Sequence, residues 1–195
     1  FPYTTLFRSV LLILPWAIPQ YVAAMTWKGM FNVEYGSVNI ILTHIFGNAA
    51  AIPWLSVPNW TFVGCIITNI WLGIPFMMMI SLGGLSSIPD ELYEAADLDG
   101  ATGIQKFKSI TLPLLKPILT PAIVLGTVWT FNMVNVIYII TSGSASDESQ
   151  ILITMVFKRA FQYFRYGQSA ALSVIIFLIL LAFSTFFVRA QKSED

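Results

Sequence analysis

Five of the ten residues from Asp90 to Asp99 are acidic, in a chain of which only 10 % is charged. Such a cluster suits gripping another molecule in water better than making bonds. Its landmarks are Glu94-Ala95-Ala96, then Gly100, then Ile110, Leu112 and Pro113. Ser87 is placed to cap a helix here, Asp90 three residues on completes a capping box, and Pro89 suits a first turn. Acidic residues in that turn also complement the helix dipole. Asp99-Gly100 reads as a turn that stops the helix and re-aims the chain. A second short helix is expected from about Ala101 to Ser109, carrying Lys106, Phe107 and Lys108, with Leu112-Pro113 ending it. Two short helices at an angle make a compact knob presenting Ala95, Ala96 and Leu98. Small residues allow close approach, and Phe107 offers an anchor for a pocket. A solvated loop without a partner is the competing reading of the charge pattern.

A second group of residues is neutral. Trp129 lies 15 residues beyond Leu114, about 22 Å along a helix rising roughly 1.5 Å per residue. A Trp at that depth in a membrane span is no interfacial anchor. Trp129 and Met133 share one helical face with Thr130 beside them, and Asn132 and Asn135 share another. Aromatic faces stack on the C–H side of a sugar ring, and amides and hydroxyls pair its OH groups. The alternative is that Trp129 packs between helices and that Asn69, Asn132 and Asn135 are interhelical glue. The central part of every predicted span lacks Asp, Glu, Lys, Arg and His. Proton-coupled carriers and ion paths usually need such groups, although sodium sites built on backbone carbonyls escape that test. An intramembrane enzyme needs a nucleophile and base or a metal cluster at depth, and one Cys65 with one His44 supplies neither.

The elements that must position these groups are membrane helices. Apolar residues make up 56 % of the chain, aromatic ones 14 %, and mean hydropathy is +0.75. Four segments have the roughly 20 apolar residues a span requires: about 10–30, 60–85, 114–140 and 170–188. Prolines 15, 19, 75, 117 and 121 are tolerated there because neighbouring helices take up the freed carbonyls. Val38 to Phe46 is too short to cross and reads as an interfacial helix ended by Gly47, with Trp54 and Trp60 at headgroup level. A Gly/Ser/Asp turn cluster follows Thr141, and then a half-polar helix from about Ile151 to Phe164. Residues 1–9 read like a translated sequencing-adapter oligonucleotide and are set aside as an artefact, so that the authentic chain begins near Val10 as an N-terminally truncated fragment. A short authentic stretch before the first helix is the alternative. The transmembrane region is then 10–188, with a loop at 86–113 and a tail at 189–195. Lys106, Lys108, Lys116, Arg189 and Lys192 on one side barely outnumber Lys28, Lys158, Arg159 and Arg165 on the other.

The spacing Glu94-Ala95-Ala96, Gly100, Ile110-x-Leu112-Pro113 resembles the signature loop of permease subunits of ABC importers. Leu12 to Pro19, Trp27-x-Gly29-Met30-Phe31-Asn32, Trp71-Leu72-Gly73-Ile74-Pro75, Phe131-Asn132 and Asn135-Val136-Ile137-Tyr138 are similar to oligosaccharide permeases, nearest the MalF-type subunit of maltose and maltodextrin importers. The resemblance covers Val10 to Val188. It implies an all-α membrane protein, a crossed-helix permease core with a cytoplasmic coupling loop, multi-pass in the bacterial inner membrane with both ends cytoplasmic. It also implies a second homologous permease, a cytoplasmic ABC ATPase dimer and an extracytoplasmic sugar-binding protein as partners, with lipid around and no nucleic acid. The chain has no G-x-x-x-x-G-K-[ST] loop. ATP and Mg are thus expected on the partner ATPase, with no cofactor, metal or catalytic residue here. Glu94, Ala95, Ala96, Asp99, Gly100, Phe107, Ile110, Leu112 and Pro113 carry over as coupling residues. Gly73 and Phe76 before the loop, and Trp129, Thr130 and Met133 after it, carry over as substrate contacts, beside Asn132 and Asn135. The family commonly has Tyr and Asn where Phe76 and Thr130 stand. The implied function is inward movement of a neutral sugar, a malto-oligosaccharide. The alternatives are glycerol phosphate, another oligosaccharide, or a secondary transporter.

Overall fold

The computed structural model describes residues 17–143 and 149–192, with side chains as far as Arg189. The adapter-like segment and the first part of the expected first span lie outside the described residues, as does most of the turn cluster after Gly143. Among the described residues all regular structure is helical. The helices are α1 (Gln20–Met30), α2 (Ser37–Phe46), α3 (Pro58–Ser86) and α4 (Asp90–Leu98). They are followed by α5 (Gly103–Phe131), α6 (Val134–Ile140), α7 (Leu152–Phe157, continued by a π turn at Lys158–Gln162) and α8 (Tyr166–Lys192). Three of these are long and apolar enough to cross a membrane: α3, α5, and α8 from Tyr166 to Arg189.

Pro58 opens α3 at the position where its missing N–H costs nothing. The helix then runs through Pro75 without a break. In α5, Pro113, Pro117 and Pro121 are spaced four apart. The carbonyl that Pro117 leaves without its helical donor is therefore that of Pro113, and the one left by Pro121 is that of Pro117. All the lost bonds fall along one side of the cylinder, and the helix persists. The expected stop at Leu112-Pro113 is accordingly absent. Pro113 crowds the carbonyl of Ser109 and cannot donate to it, and the chain answers with a π turn at Phe107–Thr111. The separate helix expected from Ala101 to Ser109 is instead the first part of one continuous α5. The expected span 114–140 is interrupted: α5 ends at Phe131, Asn132 and Met133 leave helical geometry, and α6 starts at Val134.

Near its end α3 runs antiparallel to α5. Gly84 meets Leu115 and Ile118, Phe76 meets Trp129, and Asn69 meets Thr130. Gly84 is needed for the closest of these approaches, because a Cβ there would lie 2.6 Å from Leu115 Cδ2. Gly84→Leu should therefore splay the pair. Overpacking of this kind costs about 1–3 kcal/mol, to be read as a lowered thermal midpoint of the purified protein; an unchanged midpoint would show that α3 and α5 do not depend on this contact. α1 runs beside α6 in the same direction, tied by Asn135 Nδ2 donating to Gln20 Oε1 at one end and Lys28 Nζ donating to Ser142 Oγ at the other. Ala24, Cys65, Val136, Ile137, Ile139 and Ile140 form the core where α1, α3 and α6 meet.

Beside this core a chain of rings runs Trp27–Phe31–Trp54–Trp60, with centroids 5.4, 5.1 and 5.6 Å apart. Trp54 is no interfacial anchor. It is 5 % exposed, and its Nε1 donates to Asn39 Oδ1 at 3.0 Å. The same oxygen accepts from Ile52 N–H while Asn39 Nδ2 donates to Ile52 O. One buried amide of α2 thus fastens the connection to α3. The short helix expected over 38–46 is present and stops at Gly47.

Candidate functional site

The cleft of about 950 Å³ is formed by the middle of α3, the second half of α5 and residues 17–20 at the entry to α1. Phe76 and Trp129 form its aromatic wall, ring centroids 4.9 Å apart and tilted by 57°. Trp129 is 49 % exposed, so about half of it stays open although Phe76 packs beside its ring. Gly73, one turn before Phe76 on α3, also lines the cleft and carries no side chain to fill it. Asn69 Nδ2 donates to Thr130 Oγ1 at 3.3 Å across the gap between α3 and α5. Gln20, Thr127 and Asn132 add to the polar lining, and none of the described lining residues is charged. The arrangement therefore offers an aromatic face with amides and hydroxyls beside it, the chemistry of a neutral polyhydroxy ligand.

Of the seven residues expected to contact substrate, Gly73, Phe76, Trp129, Thr130, Asn132 and Met133 come together here. Two expectations about their geometry fail. Trp129 and Met133 do not share a continuous helix face, because Met133 has left helical geometry with ψ 72°; it reaches the cleft from the break itself. Asn132 and Asn135 do not form a common face either. Asn132 Nδ2 donates back to Val128 O at 2.8 Å and so closes the end of α5, whereas Asn135 sits in α6 bonded to Gln20 and outside the lining. Both asparagine side chains hold the frame of the cleft. Gln20 was missed from sequence. Its one signal is a polar residue directly after Pro19 in an apolar run.

The second site is the knob at the other end of α3 and α5. Ser87 and Asp90 do not form the expected capping box: α4 starts behind Pro89 with no side-chain cap, and Ser87 Oγ donates to Gly84 O. A capping box does form at Thr102 and Gln105, opening α5. Gly100 has φ +72°, a conformation open to glycine at little cost. Its N–H donates to Asp97 O, and Ala101 N–H donates to Ala96 O. The turn is braced by Lys106 Nζ donating to Asp97 Oδ1 at 2.6 Å, and by Tyr93 OH paired with Thr111 Oγ1 at 2.8 Å. Tyr93 thus reaches from α4 onto the π turn. Leu98 is 91 % exposed, and Ile104 and Phe107 are exposed near it in sequence. Glu94, Ala95, Asp99 and Gly100 are exposed, Ala96 and Ile110 are half-buried, and Leu112 and Pro113 lie beyond the π turn on the exposed side of α5. The nine expected coupling residues are therefore split between the knob and the flank of α5.

Residues 3–193 match the family model described as binding-protein-dependent transport system inner membrane component. The chain belongs to that family. It is 38 % identical over 188 residues to the trehalose/maltose transport system permease protein MalF of Thermococcus litoralis, covering 95 % of this chain and 61 % of that one. It is 36 % identical over 196 residues to the maltose/maltodextrin transport system permease protein MalF of Salmonella typhimurium, with 95 % and 38 % covered. The chain thus spans less than two thirds of the length of these relatives. Its fold is similar to a chain in the crystal structure of a bacterial ABC transporter involved in the import of the acidic polysaccharide alginate, with a TM-score of 0.75 and 23 % identity, covering 96 % of this chain and 66 % of that one.

Membership in the inner membrane component family accounts for the three long apolar helices. The matched relatives are permease proteins, components of transporters rather than enzymes.

Proposed function

We propose that this permease is the transmembrane subunit of an ABC importer that moves a neutral oligosaccharide inward, in the first instance a malto-oligosaccharide. The observation that carries the reading is the uncharged cleft with the half-open Trp129 ring beside Phe76 and the Asn69–Thr130 pair. A pyranose stacks on such a ring, and the amides and hydroxyls pair its OH groups. An anionic cargo such as glycerol phosphate is disfavoured because no cation lines the cleft among the described residues. The names of the maltose-type relatives favour the same cargo class.

In this reading α3, α5 and α8 are joined as spans by the segment about 10–30 that ends in α1, and residues 86–113 face the cytoplasm. The knob receives one subunit of an ATPase dimer, which holds ATP and Mg. A second homologous permease completes the path, and a sugar-binding protein delivers cargo to the outer ends of the helices. Glu94, Gly100, Leu98 and Phe107 form the docking face, and Gly73, Phe76, Trp129, Thr130 and Met133 contact the sugar.

The test is reconstitution of the full-length permease with its partner subunits and uptake of labelled sugars. Maltotriose should compete with itself and not with glycerol phosphate; preferential uptake of the anion would overturn the cargo assignment. Topology is checked separately. A cysteine replacing Gln105 should react with an impermeant thiol reagent only from the cytoplasm, and one replacing Tyr163 only from outside. The native Cys65 is buried and gives little background. Reaction of both from one side would remove the proposed arrangement of spans.

A further inference from the structure

A polar pocket of about 300 Å³ lies apart from the cleft, lined by Gln150, Met155, Lys158, Arg159, Tyr163 and Arg165. Three of the six are cationic and none is acidic. The backbone goes out of its way to assemble them. In the π turn Tyr163 N–H donates to Lys158 O at 3.0 Å, and Arg165 N–H donates to Arg159 O at 2.7 Å. Between these bonds Phe164 takes φ +54°, an unfavourable conformation for a bulky L residue. Its side chain is 69 % exposed, so no core contact offsets that strain. The consequence is that Arg159 and Arg165 are drawn to one mouth. The Arg159 guanidinium is further fixed by donating to Gln168 Oε1 on the first turn of α8. Lys158 has a bonded partner of its own, so the site rests on the two arginines.

The surroundings are amphipathic. Tyr163 of the pocket and its sequence neighbours Phe161, Phe164 and Tyr166 are exposed where the chain enters the apolar helix α8. That helix is exposed along its length, Phe177 and Leu178 included. Aromatic residues with arginine at the head of an apolar span mark the level of lipid headgroups.

We infer that this pocket binds the phosphate of an anionic phospholipid headgroup, with the acyl chains lying along the exposed side of α8. Arginine pairs with phosphate oxygens through two parallel N–H donors, which gives geometry as well as charge. Two arginines held at one mouth make a phosphate clamp, and Tyr163 OH is a third donor. The proposal requires α8 to span the bilayer and is independent of which sugar is carried. A surface of aromatic residues and arginine also suits a protein partner. The concave form of the site and its continuity with the apolar α8 favour lipid.

The experiment places the full-length permease, assembled with its partner subunits, in nanodiscs of phosphatidylcholine doped with phosphatidylglycerol, and counts retained lipid by native mass spectrometry. The wild type should retain phosphatidylglycerol preferentially. Arg159→Ala with Arg165→Ala should cut that preference by about twenty-five-fold, roughly fivefold for each cation removed near a charged surface. Arg159→Lys with Arg165→Lys should keep most of it. If the alanine pair does not assemble, Arg159→Gln with Arg165→Gln, which removes the charge but keeps part of the stem and a hydrogen-bonding end, should show the same loss. Unchanged preference in the uncharged variants overturns the proposal. Displacement of the lipid by millimolar inorganic phosphate also overturns it, making this a soluble-anion site. Unchanged lipid retention with weakened binding of the extracytoplasmic binding protein would reassign the patch to protein docking.

Discussion

Gly100→Pro is expected to leave the permease inserted and assembled while reducing substrate-stimulated ATP hydrolysis of the reconstituted importer by an order of magnitude or more. Gly100 has φ +72°, whereas a prolyl ring holds φ near −65°. The substitution also deletes the N–H that donates to Asp97 O. The turn between α4 and α5 must then open, and the angle at which Leu98 is presented relative to Ile104 and Phe107 changes. Because these exposed apolar residues are the candidate anchors, misplacing them costs docking energy on the scale of an interface hot spot, about 2 kcal/mol or roughly thirtyfold. Gly100→Ala, a smaller backbone strain that keeps the N–H, should fall in between. Glu94→Lys tests the charge of the same face without touching the turn and should also uncouple. ATPase stimulation at wild-type level in both Gly100→Pro and Glu94→Lys would remove the docking assignment.

The knob also marks where sequence reasoning stops. The turn at Gly100 was legible because Asp-Gly has a local conformational meaning. The brace from Tyr93 to Thr111 was not, because it depends on a π turn. That turn arises from Pro113 crowding a carbonyl four residues back, a consequence visible only once α5 is known to be continuous. The same holds at the other end of α5. The run from Leu114 to Ile140 gives no sign of a break, since it is predominantly apolar on both sides of the junction and has no Gly or Pro there. What stops the helix is Asn132 bonding back to Val128 O and Met133 leaving helical geometry. By contrast, the limits of α3 were expected within two residues (60–85 against Pro58–Ser86), because a proline opens it and a polar stretch closes it. Trp54 was misplaced for a tertiary reason: it lies in the connection before α3 and its partner Asn39 lies on α2, 15 residues earlier. Gln20 and Asn69 joined the cleft in the same way, through neighbours distant in sequence.

Trp129→Ala should lower transport of a malto-oligosaccharide sharply while sparing assembly. Trp129 lines the cleft, is 49 % exposed, and its ring centroid lies 4.9 Å from that of Phe76. Removing it therefore leaves Phe76 standing and opens the cleft rather than the core, whose buried residues Ala24, Cys65 and Val136 lie on α1, α3 and α6. An aromatic pair of this kind is worth about 0.5–1.5 kcal/mol beyond its buried area. A ring–sugar stack of similar size, lost with the indole, predicts a fall of about tenfold in uptake from roughly 1.4 kcal/mol per decade, whereas the Phe76 pair bears on stability alone. Trp129→Phe keeps a stacking face and should retain much of the rate. Asn135→Ala provides the contrast: its amide bonds Gln20 outside the lining, so it should lower stability first and transport only in proportion. Lys158→Ala, remote from the cleft, is the control for sugar transport. If Trp129→Ala blocks assembly, the ring is packing between helices. If that variant transports normally, the sugar runs along another wall, either past Gln20 and Asn69 or through the partner permease. The expected split, assembly kept and uptake lost, follows from a half-exposed ring that lines the cleft and lies outside the buried core.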